Sequence, residues 1–220
     1  MKKIITLYFA LATSIYSSTG SLGQVIYTKG IVKINDTVAK KGSSFDVGAR
    51  FQVAGKSLAI VKLPEGSKVK ISENTSLVIK NFKSKLKPTL VQITKGEAFF
   101  KVLKSKLVDK KEKFVVKNKF TSMGVRGTSF FVSSGVSKSN DLWMCVEEGI
   151  VAVKNKADKK LQLVKGGEGI VSKKGEKTSK PRPLAWTKKL NWNMNPESGN
   201  VKNEVSIQEA YTDLLDQDYD

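Results

Sequence analysis

The side chains that most often perform catalysis or bind metals are scarce in this sequence. Its 220 residues include no histidine and a single cysteine, Cys145. Histidine is the commonest general base and neutral metal ligand, and one thiol forms neither an internal disulfide nor a sulfur-rich zinc site. No Ser-x-x-Lys stands in a helical pattern that would support serine–lysine chemistry. We therefore predict a protein that is not an enzyme and needs no metal or cofactor, with Cys145 as a small buried hydrophobic residue.

The charge of the chain points to binding of anions. Lysine and arginine together number 39 against 20 acidic residues, a net charge of +19. Only Arg50, Arg126 and Arg182 are arginines, so lysine supplies nearly all of the positive charge. Readers of phosphates and bases rely on the bidentate fork of arginine, whereas lysine gives diffuse attraction and solubility. An anionic envelope polymer is therefore a possible partner. We do not expect the protein to bind nucleic acid.

The N-terminus has the layout of a secretory signal peptide, predicted over residues 1–23. A basic head at Met1 to Lys3 precedes an apolar run over residues 4–16, which is too short to span a bilayer comfortably as a helix. Small residues permit cleavage after Gly20 or after Gly23, and the sequence does not choose between them. We expect a periplasmic protein with only peripheral membrane contact, which could associate with the outer membrane or cell wall. An uncleaved N-terminal anchor is the alternative.

The body of the chain reads as short strands. From residue 24 to about 173 no apolar pattern of helical period lasts three turns, while alternation of period two recurs between glycines. This predicts an all-β fold of about ten short strands. Phe130–Val132 and Leu142–Val146 are apolar on both faces and must be covered on both sides. A two-sheet sandwich or a short β-solenoid would supply that cover. Strands are predicted at 57–63, 69–71, 77–80, 98–103, 114–117, 129–132, 142–146, 150–154, 161–164 and 169–172.

A hairpin over residues 57–71 is the clearest of these elements. Pro64 presets the backbone angle of the turn and Gly66 tolerates a positive one. After the turn, Lys68 and Lys70 alternate with apolar residues, so we expect both lysines to point to solvent and protect the sheet from pairing with other chains.

Five ordered motifs make the region from about Gly23 to Gly175 resemble the FecR domain, the periplasmic part of surface-signalling regulators. The most specific is Val-Arg-Gly-Thr-Ser-Phe-Phe-Val at 125–132, followed by Glu-Gly-Ile-Val-Ala-Val at 148–153. Two details depart from the family pattern: residues 47–50 replace the usual Gly-Asp step, and a glutamate stands for aspartate in the turn before Gly66. The other similar segments are 24–34 with 41–51, 55–67 and 96–100.

The resemblance implies a structural role for the motif residues Arg126, Gly127, Thr128, Glu148, Gly149 and Gly66. From the residues themselves, Gly127 allows a sharp turn that the hydroxyl of Thr128 can cap. If Arg126 is buried beside the hydrophobic strand it needs a carboxylate, and Glu147 or Glu148 is the candidate. A structural ion pair is favoured over a binding site.

The resemblance also implies a function. FecR regulators carry a cytoplasmic anti-sigma segment and a membrane helix, and neither is expected in this chain, so an anti-sigma role is not predicted. The expected function is that of an exported protein-interaction module with an envelope protein as partner, in surface signalling or envelope assembly. The alternative is a basic scaffold that binds peptidoglycan, lipopolysaccharide or another anionic glycan. The oligomeric state is left open.

The predicted β domain covers residues 24–175, and the pattern changes after it. Residues 176–196 form a linker with a short amphipathic helical element, in which Trp186 and Trp192 could pack on the β domain, bind a partner or meet a membrane surface. Residues 197–220 hold seven acidic residues and one lysine. This acidic tail, with a helix around Val205 to Leu215, either lies on the lysine-rich surface or is a solvated terminus.

Overall fold

The chain folds into β-strands that lie in two layers. The computed structural model describes residues 22–84, 87–104, 114–136 and 141–205. The all-β prediction is confirmed, with seventeen strands in these ranges where about ten were expected. They are β1 (Gly23–Lys29), β2 (Val32–Ile34), β3 (Thr37–Val38), β4 (Ser44–Phe45), β5 (Arg50–Val53), β6 (Leu58–Lys62), β7 (Lys68–Ile71), β8 (Thr75–Asn81), β9 (Thr89–Lys101), β10 (Phe114–Lys117), β11 (Thr121–Val125), β12 (Ser129–Ser134), β13 (Leu142–Glu148), β14 (Ile150–Asn155), β15 (Gln162–Lys165), β16 (Glu168–Ser172) and β17 (Arg182–Pro183).

One long strand, β9, belongs to both layers. The order in sheet A is β4-β1-β6-β7-β9-β12-β13-β16-β17, and the order in sheet B is β3-β2-β5-β8-β9-β10-β11-β14-β15. The pairing of β9 with β10 is parallel, and the other pairings are antiparallel. Each layer therefore has four strands from the earlier half of the chain on one side of β9 and four from the later half on the other.

The strand β9 passes between layers by bending at Gly96. Val91 and Ile93 point into the core before the bend, whereas Ala98 and Phe100 do so after it, so the inward set changes from odd to even positions. Gly96 has a φ of +98° and lies against Thr75, whose Oγ1 would be 2.3 Å from an added Cβ. Only glycine fits both conditions, which makes this residue the hinge between the sheets.

The space between the sheets is filled by side chains of both. Phe100 of β9 stacks on Phe130 of β12 with ring centroids 4.9 Å apart, and Phe45 meets Phe51 edge to face at the same distance. These rings belong to one continuous cluster of buried residues that draws on both layers. The arrangement is the two-sheet alternative of the prediction, with a core of the ordinary sandwich type.

A C-terminal strap, residues 176–205, crosses the outer face of sheet A. It contains β17, followed by 3₁₀ helices at Ala185–Lys189 and Pro196–Ser198. The predicted short amphipathic helical element is not supported beyond the 3₁₀ helix at Ala185–Lys189, after which the strap is irregular. The Asn191 and Asn193 side chains accept hydrogen bonds from backbone N–H groups two residues on, at 2.9 and 2.8 Å, which competes with helix formation. No helix in the described ranges is long and apolar enough to cross a membrane.

The strap also corrects the prediction for Lys70. The hairpin of β6 and β7 forms as expected, with Gly66 at a φ of +92°. Lys70 does point away from the core between the sheets, yet it is fully buried because the strap lies over it. The predicted signal peptide, up to residue 21, and most of the predicted tail helix, from residue 206, lie outside the described residues. The domain limits at residues 23, 175 and 196 stay predictions.

Candidate functional site

The six predicted motif residues lie together at one end of the molecule, where the chain changes sheets. Arg126–Thr128 joins β11 of sheet B to β12 of sheet A, and Gly149 joins β13 to β14 in the opposite sense. The Thr128 hydroxyl donates to the carbonyl of Ile150 at 3.1 Å and reaches that of Arg126 at 3.3 Å. An added Cβ on Gly149, whose φ is +93°, would lie 2.9 Å from the carbonyl oxygen of Gly127. The two motifs therefore build one tight corner.

The segment after β9 connects this corner to the turn at Gly66. The Val102 N–H donates to the Thr128 carbonyl at 2.9 Å. An added Cβ on Gly66 would lie 2.8 Å from Cδ1 of Leu103, and Lys104 forms an exposed ion pair with Glu148 at 3.7 Å. These contacts are backbone bonds, close approaches and a surface pair, which stabilise a fold and offer no reactive group.

The predicted ion pair of Arg126 with Glu147 or Glu148 depended on burial of Arg126, and Arg126 is not buried. Its side chain is exposed, as are those of Glu147 and Glu148. An exposed ion pair contributes at most about 1 kcal/mol to stability. Gly127 and Thr128 supply the close approach and the hydroxyl hydrogen bonds that are described at this corner.

Bulky side chains line the outer face of sheet A, and the strap covers them. Ile60, Lys70, Phe99, Phe131 and Cys145 follow one another in register across five strands. Cys145 is buried as predicted, and burial raises the pKa of its thiol to about 12. Such a thiol is not a nucleophile at neutral pH.

Trp192 is one of the strap residues that make this cover. Its ring meets Phe99 edge to face with centroids 5.3 Å apart, and its Nε1–H donates to the Thr187 carbonyl at 2.9 Å. Leu184, Leu190, Met194 and Val201 are buried against the same face. The side chain of Trp186, the other predicted interaction residue, lies outside the described set.

Lys70 of sheet A binds the strap through its side chain. Its ammonium group donates to the backbone carbonyls of Asn191, Asn193 and Val201, the latter two at 3.1 Å. It also lies 4.1 Å from the centre of the Phe99 ring, a cation–π arrangement. Burial lowers the pKa of Lys70 to about 8, against the opposing effect of the Glu147 charge. This contact could not be predicted from local sequence pattern, because the acceptors are backbone atoms more than 120 residues away.

The outer face of sheet B is different, since no described segment covers it. Leu90, Val115, Gly124, Ala152 and Leu163 form a row in register across five strands, and Leu163 is 53% exposed. A groove of about 520 Å³ runs beside this row. Its cationic lining residues are Lys117, Lys119, Lys154 and Lys156. A shallow apolar row next to lysines is a surface suited to contact with an acidic partner.

A second cavity, of about 840 Å³, lies where the end of the strap meets sheet A. Two carboxylates line it, Glu73 and Glu97. Burial, and secondly the Glu73 charge, raise the pKa of Glu97 to about 7. In the described ranges no three cysteine, aspartate or glutamate side chains gather as a metal site would require.

Comparison with known proteins gives a family match and two similar structures. Residues 49–152 match the family model described as FecR protein. A crystal structure at 1.65 Å of a candidate anti-sigma factor from Parabacteroides distasonis is 22% identical with a TM-score of 0.50, covering 61% of this chain and 59% of that one. A second, at 2.50 Å, is 22% identical with a TM-score of 0.51, covering 68% and 69%. The chain thus spans less than two thirds of the first relative, and the likeness is one of fold. No curated protein sequence matches.

Proposed function

Because residues 49–152 form a FecR domain, we propose that the protein is a non-enzymatic contact module of the cell envelope, exported to the periplasm, which acts in surface signalling or envelope assembly. The family match supports a signalling-related interaction module. The candidate anti-sigma factor with a similar fold is consistent with that role. The absence of histidine from the sequence and the burial of Cys145 support a role in binding.

The observation that carries the proposal is the open outer face of sheet B. Its apolar row ends at Leu163, which is 53% exposed, and Ile150, two residues before Ala152 on β14, is 49% exposed. Monomeric proteins rarely leave contiguous apolar surface without a use. The lysines beside the row would steer an acidic protein partner toward it. The lysine-lined groove favours a second candidate function, binding of an anionic envelope polymer, through the same face.

The experiment places a photo-crosslinking amino acid at Leu163, and as a control at Lys188, an exposed strap residue on the opposite face. Irradiation of intact cells that make the protein is followed by identification of the captured species. We expect Leu163 to capture a defined envelope protein and Lys188 to capture none. Capture of glycan or lipopolysaccharide by Leu163 would replace the first function with the second. Equal capture at both positions would refute the proposal. So would a finding that this protein itself stays in the cytoplasm with its leader intact.

A further inference from the structure

The cavity of about 840 Å³ next to the strap has the size and composition of a small-ligand site. It is bounded by β1, the turn before β6, the turn after β7, the bend of β9 and the end of the strap. Tyr27, Leu58, Val201 and Val205 supply apolar walls. Its charged lining residues are Lys29, Lys56, Lys95, Lys202, Glu73 and Glu97.

Glu97 is held rigidly at this site by its backbone. Its N–H donates to Oγ1 of Thr75 at 2.8 Å, and its carbonyl accepts from the Ser72 N–H at 3.0 Å. The carboxylate is half-buried, and among the described residues none donates a hydrogen bond to it. Glu73 repels it electrostatically. A half-buried carboxylate with a like charge nearby and no donor is stabilised by a cation that enters the cavity.

The lysines define the rest of the ligand. Lys29, Lys56, Lys95 and Lys202 are exposed around the two carboxylates, so a purely cationic ligand would meet repulsion at the rim. A ligand that carries an ammonium group and, a few bonds away, an anionic group satisfies both. We propose that this cavity binds a short peptide whose two ends are both free, with its amino group at Glu97 and its carboxylate among the rim lysines.

Calorimetry with trialanine tests the proposal on the full chain. Trialanine should bind, N-acetyl-trialanine should bind about tenfold more weakly because it loses the charge-assisted bond, and trialanine amide should lose affinity for the lysines. Acetyl-Ala-Lys-Ala-amide offers an internal lysine amine instead of a chain end. Equal binding of that peptide would overturn the assignment to a chain end, and so would equal binding of trialanine and its acetylated form.

Variants locate the site. Glu97→Gln should lower the affinity for trialanine about tenfold and leave that for N-acetyl-trialanine unchanged, while Glu176→Gln, an exposed carboxylate outside the cavity, should change neither. Unfolding temperatures keep this result interpretable: the raised pKa of Glu97 means that its ionised form destabilises the fold above pH 7, so Glu97→Gln should be at least as stable as wild type at pH 8. A stable Glu97→Gln protein with wild-type affinity would refute the proposal.

The pH dependence gives an independent readout. Glu97 takes up a proton as the pH falls from 8 to 6 through its pKa of about 7. The other titratable groups lining the cavity are Glu73, Tyr27 and the four lysines. An ammonium ligand binds the ionised carboxylate, so affinity should fall from pH 7 to pH 6, where the α-amino group of trialanine stays protonated, and binding near pH 7 should release a proton. Affinity that is constant from pH 6 to 8 would contradict the role of Glu97.

Discussion

The outer faces of the two sheets are built in the same way, but only one of them is covered by another part of the chain. Each carries a row of residues in register across five strands, but the row on sheet A includes Phe99 and Phe131, whereas that on sheet B includes Gly124 and Ala152. The strap covers the first, and no described segment covers the second. Large rings cannot remain in water without a high cost, while small residues among lysines can. Side-chain size on the outward positions thus decides which face the chain itself must cover.

Deletion of residues 184–220 should produce the largest effect on this comparison. It removes the buried strap residues Leu184, Leu190, Met194 and Val201 and exposes the rings of sheet A. We expect the free energy of unfolding to fall by about 5 kcal/mol, a large part of the usual total. Urea denaturation and binding of a hydrophobic dye measure it. Deletion of residues 206–220 alone is the control, and a similar loss there would show that the strap is not what protects sheet A.

The substitution Lys70→Met should have an intermediate effect. It leaves the carbonyls of Asn191, Asn193 and Val201 without their donor beneath the strap. We expect a loss of about 2 to 3 kcal/mol, which unsatisfied buried acceptors cause. Lys154→Met on the open face of sheet B is the matched control and should change stability by less than about 0.5 kcal/mol. Equal effects in thermal unfolding would contradict the distinction between the two faces.

The smallest effect is expected for a leucine substitution on the open face of sheet B, compared with a leucine substitution on the covered face of sheet A. Leu163→Ala should change the free energy of unfolding by less than about 0.5 kcal/mol, because its side chain is 53% exposed. Leu58→Ala on the covered face of sheet A, at 7% exposure, should cost about 2 kcal/mol or more. Chemical denaturation of both variants measures the difference. A large loss from Leu163→Ala would mean that something covers sheet B after all.

Much of this fold could be predicted from local pattern. Continuous apolar runs such as Phe130–Val132 and Leu142–Val146 predicted strands covered on both faces, and they are buried throughout. Glycine and proline marked the hairpin turn at Gly66. The shortest strands, β3, β4 and β17, were missed because two residues give no period to detect.

The candidate sites were harder to predict, because their partners are distant in sequence. Lys70 reads as a surface lysine on an alternating strand, and only the strap more than 120 residues later buries it. Glu97 belongs to a family-like motif, but its neighbour Glu73 comes from a turn on another strand pair. In the segment predicted as an amphipathic helical element, Leu190 and Met194 are buried, but asparagine side chains bond to the backbone and the path of the chain there is irregular.

The shared strand β9 divides both layers into strands that precede it and strands that follow it in the sequence. Every strand on one side of it, in both layers, comes from residues before Thr89, and every strand on the other side comes from residues after Lys101. The earlier half can therefore complete its own ladders while the later half is still unmade. The far edge of β9 pairs with β10 in one layer and with β12 in the other, so both sheets of the later half join the earlier half through this one strand.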